Sequence, residues 1–100
     1  MAVLPAHVVL ARRTPEFTAD TIPPGLLRRH TTKPGEWARI VVLEGHLRFR
    51  VLEPAVVDTV LTVDVAGIVE PTVPHEVAPD GPVRFFVEFH AEPPSQPRRA

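Results

Sequence analysis

A chain of 100 residues, 44% of them hydrophobic, carries enough apolar side chain for one domain with a modest core. A formal net charge of −1 excludes the concentrated basic surface that nucleic-acid binding requires. With no cysteine there is no disulfide framework and no thiolate metal site, so any metal would rest on His, Asp and Glu.

No apolar run approaches the roughly 20 residues of a membrane-spanning helix, and no cationic start precedes a long apolar stretch at the N-terminus. The expected setting is cytoplasmic, with no membrane and no nucleic acid as partners. Lys33 is the only lysine among eleven basic residues, and Ala, Val and Pro are abundant, a usage associated with GC-rich bacterial genomes.

Thirteen prolines and five glycines cut the chain into short pieces. No stretch keeps a helical apolar period for more than two turns without a proline. Val, Ile, Leu and Phe fall instead in short runs bounded by Pro, Gly and Asp, which predicts an all-β sandwich or barrel with almost no helix.

Residues 3–12 read as an edge strand containing Pro5, and residues 14–20 as a loop. Residues 25–32 read as a strand with Leu26, Arg28, His30 and Thr32 on one face. Lys33-Pro34-Gly35-Glu36 has proline and glycine where a type II turn wants them. Residues 37–43 form an apolar strand, Glu44-Gly45 a hairpin turn, and residues 46–52 a strand with His46, Arg48 and Arg50 outward and Leu47, Phe49 and Val51 inward. Strands follow at 56–63, 67–70 and from His75, with a tight turn at Asp80-Gly81-Pro82 before a last strand over 83–90. One domain is expected over residues 1–90, with 91–100 a mobile proline-rich tail.

His30 and His75 stand out because neutral imidazole is the commonest protein ligand for transition metals. Two histidines far apart in sequence that meet inside a β-barrel make a candidate metal site. Singly, each reads more plainly as a hydrogen-bonded structural residue. Glu88 depends on which face of the last strand looks inward. If Arg84, Phe86, Glu88 and His90 line the barrel, Glu88 completes two imidazoles and a carboxylate, a set that suits zinc, iron, manganese or nickel. If Val83, Phe85, Val87 and Phe89 do, Glu88 is a solvated surface residue. Arg28 and Lys33 are candidate anion-binding groups, and Thr32 a hydrogen-bond donor to a metal-bound water. His7, His46 and His90 read as surface residues, and Trp37, Phe49, Phe85 and Phe89 as core. There is no Gly-x-Ser-x-Gly elbow, no phosphate-binding glycine loop and no GxGxxG.

Gly25 to Ile40, then Val42-Leu43-Glu44-Gly45, then Ile68-Val69-Glu70-Pro71 with Val73-Pro74-His75-Glu76-Val77, resemble the small cupin family of the TehB N-terminal domain and the YeaR-like proteins. The similarity runs from about residue 13 to 90. It implies a cupin-type double-stranded β-helix (a small jelly-roll barrel), an association with stress or tellurite resistance, and one divalent transition metal per chain. His30 and His75 match the family's motif histidines, Thr32 stands where a second histidine would come, and Glu36 falls near the motif glutamate at an unusual spacing from Gly45. Ala78 stands where family members often carry an acidic residue.

Three functions are open on this reading. The first is a metal-binding cupin that takes a small anionic molecule at His30, His75 and Glu88, with Arg28, Thr32 and Lys33 around the ligand. The second is a metal-dependent dioxygenase or isomerase. The third is a metal-free barrel that binds a partner. A homodimer is expected, because short cupins expose sheet edges that pairing covers.

Overall fold

The computed structural model describes residues 3–93. Six strands appear in chain order: β1 (Val9–Arg13), β2 (Phe17–Thr18), β3 (Trp37–Val51), β4 (Val57–Leu61), β5 (Gly67–Val69) and β6 (His75–Ala91). The only helical element among the described residues is a 3₁₀ turn at Pro24–Leu27, closed by Leu26 N–H on the Pro23 carbonyl. The all-β expectation is met, and the expected turn at Lys33–Glu36 forms, with Glu36 N–H on the Lys33 carbonyl at 3.0 Å and Gly35 at φ +78°.

Two of the expected turns do not form. Glu44-Gly45 and Asp80-Gly81-Pro82 lie inside β3 and β6, which run antiparallel as one long ribbon from Trp37↔His90 to Val51↔His75. The ladder breaks register between Val42 and Glu44 and again between Gly45 and Leu47. These breaks are β-bulges, where glycine supplies the positive φ that other residues resist. Across them the inward face switches: Ala38, Ile40 and Val42 are buried before, Leu47 and Phe49 after. Gly45, at φ +79°, sits so close to the Pro82 carbonyl that any Cβ there would collide with it.

The sheet is therefore not a cupin barrel. Its pairings run β1–β6–β3–β4, with β2 added beside β6 and β5 beside β3, and the end strands β1 and β4 are not joined. Closing a barrel requires strands that tilt and turn until the last meets the first. Here the glycines that read as hairpin turns are spent on bulges within two long strands, so the chain lacks the corners that closure needs. The core is Phe85, Leu47 and Leu61, fully buried, together with the inward residues of β3, β5 and β6. Trp37, expected in the core, is half-buried on the opposite face. The mobile tail expected over 91–100 lies, from residue 94 on, outside the described residues, while Ala91 closes β6 against Val9 of β1.

Candidate functional site

Residues 25–32 do not form the expected strand. After the 3₁₀ turn the chain bends back and meets β6 at a single antiparallel bridge, His30↔His75. The two residues exchange backbone hydrogen bonds in both directions, at 2.7 Å and 2.9 Å. The bridge brings the imidazoles face to edge, with centroids 5.2 Å apart and Phe49 packed edge-on against His75. His75 is buried, and His30 half-buried.

The hydrogen bonds assign the protons. His75 Nδ1 lies 3.0 Å from the Val73 carbonyl oxygen, so it carries the hydrogen and donates. In neutral His75, Nε2 is then an acceptor, and the His30 Nδ1–H facing it at 3.4 Å donates to it. The result is a short relay, His30 to His75 to the Val73 carbonyl. Burial lowers the His75 pKa, the Val73 carbonyl opposes that shift, and the neighbouring imidazole lowers the pKa further.

Thr32 joins this pair. Buried beside them, its hydroxyl accepts from Thr72 N–H at 3.3 Å and donates to the Glu70 carbonyl at 3.5 Å. Leu26, Val69 and Phe89 help close the remaining space to a cavity of ≈ 10 Å³. That holds about one water molecule and nothing larger. Arg28 and Lys33 are exposed at the surface.

Glu88 is not brought to the histidines. Val83, Phe85, Val87 and Phe89 face the core, so Glu88 lies on the other side of the sheet. It is not solvated there, being only 8% exposed. Arg13 Nη2 donates to it at 2.8 Å, Arg39 lies 3.9 Å away, and His90 approaches to 3.4 Å. Register explains the cover, because β1 lays Arg13 directly opposite Glu88. His90, expected at the surface, is held in this cluster with its side chain 14% exposed. Glu36 is drawn towards Arg12, at 3.7 Å.

A catalytic or structural metal site takes three or four protein donors. Among the described residues no group of three or more His, Cys, Asp or Glu is placed to share an ion. The expected metal-binding character is corrected on that ground: the imidazole pair supplies two nitrogens, and the carboxylate that was to complete the set is held by arginines across the sheet. As arranged, both ring nitrogens of His75 and Nδ1 of His30 are hydrogen-bonded, and no buried side-chain nitrogen or oxygen among the described residues lacks a partner.

The feature that sequence reading passed over is the far edge of the sheet. β4 ends the pairing path, and around it Val56, Val57, Val60 and Val63 are 61%, 55%, 47% and 64% exposed. The signal was present as a run, Val56-Val57-Asp58-Thr59-Val60-Leu61-Thr62-Val63, with neither lysine nor proline. Those are the residues that commonly protect such edges.

No helix among the described residues is long and apolar enough to cross a membrane. No curated protein matches the chain. Among solved structures, TehB from Haemophilus influenzae is similar at 24% identity and a TM-score of 0.81, over 87% of this chain and 32% of its own. This chain thus spans about a third of TehB's length. A protein from E. coli strain K12 is similar at 20% identity and a TM-score of 0.82, over 94% of this chain and all of its own. The fold is therefore found both as one part of a longer chain and as the whole of a short one. A family model for the TehB-like domain matches residues 12–87, which bears out the resemblance seen in the sequence: the chain belongs to the TehB-like domain family.

Proposed function

We propose that this domain is a metal-free, partner-binding unit of the cytoplasm, and that its partner across the sheet edge is a second copy of the same chain. The observation that carries this reading is the unprotected β4 edge. An edge strand offers a row of unpaired backbone donors and acceptors, and proteins that must stay single blunt it with lysine, proline or a covering loop. Among the described residues no strand pairs with the outer side of β4, and the strand is valine-rich. The one acid in β4, Asp58, is neutralised by Arg50 at 2.6 Å, so two antiparallel copies of β4 meet without an unpaired like charge. A net charge of −1 gives little long-range repulsion between copies. The fold makes up the whole of the E. coli relative, which has no companion domain of its own to cover the edge.

Sedimentation equilibrium tests the proposal. The wild-type chain, 11.1 kDa as a monomer, is expected to sediment at twice that mass. Val57→Lys, at an exposed position, is expected to give a folded monomer. A wild-type monomer, or a Val57→Lys dimer as tight as wild type, overturns the reading. An enzyme of dioxygenase or isomerase type has no comparable support, since the cavity beside the two histidines has no room for a substrate.

A further inference from the structure

The outward face of the β3–β4–β6 region carries two adjacent rungs of different character. On one, Arg50 lies between Asp58 of β4 and Glu76 of β6; on the next, Arg48 lies between Val60 and Ala78. Arg50 is committed to Asp58, with Nε to Oδ1 at 2.6 Å and Nη2 to Oδ2 at 3.5 Å. Glu76 makes no ion pair among the described residues and acts on Arg50 only through space. Arg48 likewise has no ion-pair partner among the described residues. Short side chains at Ala78 and Val60 leave a groove of ≈ 340 Å³ lined by these six residues and their neighbours. That is within the range of about 300–1,000 Å³ in which small molecules bind.

We infer that this groove is a binding site for a free α-amino acid with an apolar side chain. Arg48 takes the carboxylate through its two-pronged guanidinium, and Glu76 takes the ammonium. The two are diagonal neighbours across the β3–β6 pair, and such neighbours are about 7–8 Å apart at the backbone, a span that long side chains close around a zwitterionic head group. Val60 and Ala78 provide the surface on which an apolar side chain rests. A simple anion fits less well, because Glu76 would face it unpaired, and a simple cation would meet Arg48. Only a ligand with both charges leaves neither residue opposed. The site is separate from the imidazole pair; it shares Asp58, Thr59 and Val60 with β4, but Val57 lies outside its lining.

The test is a titration of isotope-labelled protein followed by amide chemical shifts. L-leucine is compared with isocaproate, which lacks the ammonium, and isoamylamine, which lacks the carboxylate. Saturable shifts are expected with leucine, centred on Arg48, Val60, Glu76 and Ala78. Binding of each half-ligand is expected to be weaker by about tenfold or more, the worth of one charge-assisted contact. Arg48→Gln and Glu76→Gln, both at solvent-facing positions, should each lose a similar factor. Val57→Lys lies outside the groove and should bind leucine as wild type does, so failure of the β4 interface and failure of the groove read out separately. No saturable shift up to the solubility of leucine overturns the inference. So does equal binding of isocaproate, or unchanged binding in either groove variant.

Discussion

His75 is buried against His30 and hydrogen-bonded to it, and that burial makes stability depend on pH in a definite direction. Burial keeps the His75 pKa below its ordinary value of 6.5. Above that value the imidazole is neutral in both folded and unfolded chains, and the full stability is present. As pH falls through it, the unfolded chain takes up a proton that the folded one refuses, and stability is lost until the lowered folded pKa is reached. The loss is at most about 1.4 kcal/mol per pH unit for this one group. Thermal melts from neutral pH downwards should therefore show a decline that His75→Asn flattens, since the amide still donates to Val73 but does not titrate. An equal slope in the variant would show that the decline arises elsewhere. At this scale the sequence was half legible. Position and residue type singled out His30, His75 and Thr32, which do meet. Glu88 was placed by a choice between two faces, and neither option foresaw a carboxylate buried under Arg13 and Arg39, because that depends on the register of β1 against β6.

Among the elements, the bulge at Gly45 controls how the long ribbon is built. Local composition could not distinguish it from a hairpin turn, because both need glycine at positive φ flanked by apolar strand residues. What separates them is the partner: Glu44 pairs with Arg84 and Gly45 with Val83, residues far along the chain. Alternation within each half was legible all the same, since Leu47 and Phe49 point inward as their spacing predicts. Two glycines make a controlled comparison. Gly35, at φ +78°, has open space where a Cβ would go, whereas at Gly45 the Pro82 backbone stands in the way. Gly35→Ala should cost only the conformational penalty, about 1–3 kcal/mol. Gly45→Ala should cost more, because the β3–β6 ladder must also move apart. Chemical denaturation of both variants checks this, and equal losses would mean that the close approach to Pro82 carries no energetic weight.

For the molecule as a whole, the all-β class and the family were legible, and the strand inventory and the closure of the sheet were not. Eight short strands favour a barrel; two long bulged strands with short companions give an open sheet, and the difference lies in pairings that no local window contains. The place expected for Glu88 failed with the barrel, since it was to reach the histidines only if its face lined an interior. Protein purified without chelator is accordingly expected to carry metal well below one equivalent per chain, with a melting temperature that EDTA leaves unchanged. A stoichiometric metal whose removal lowers the melting temperature would return the imidazole pair to metal chemistry.

The long β3–β6 ribbon also fixes the sequence of events during synthesis. Trp37 emerges from the ribosome early, but its partner His90 lies almost at the end of the described chain. Non-local pairing of this kind is slow, since the intervening loop must close before any contact repays it. The central strand of the sheet thus waits, unpaired along the edge it shares with β6, while the valine-rich β4 is already available to pair with it. During that interval the nascent chain is most exposed to misassembly with its neighbours. The edge of β3 that ends up sealed in the middle of the sheet is thus the one most open to a neighbouring chain before β6 arrives.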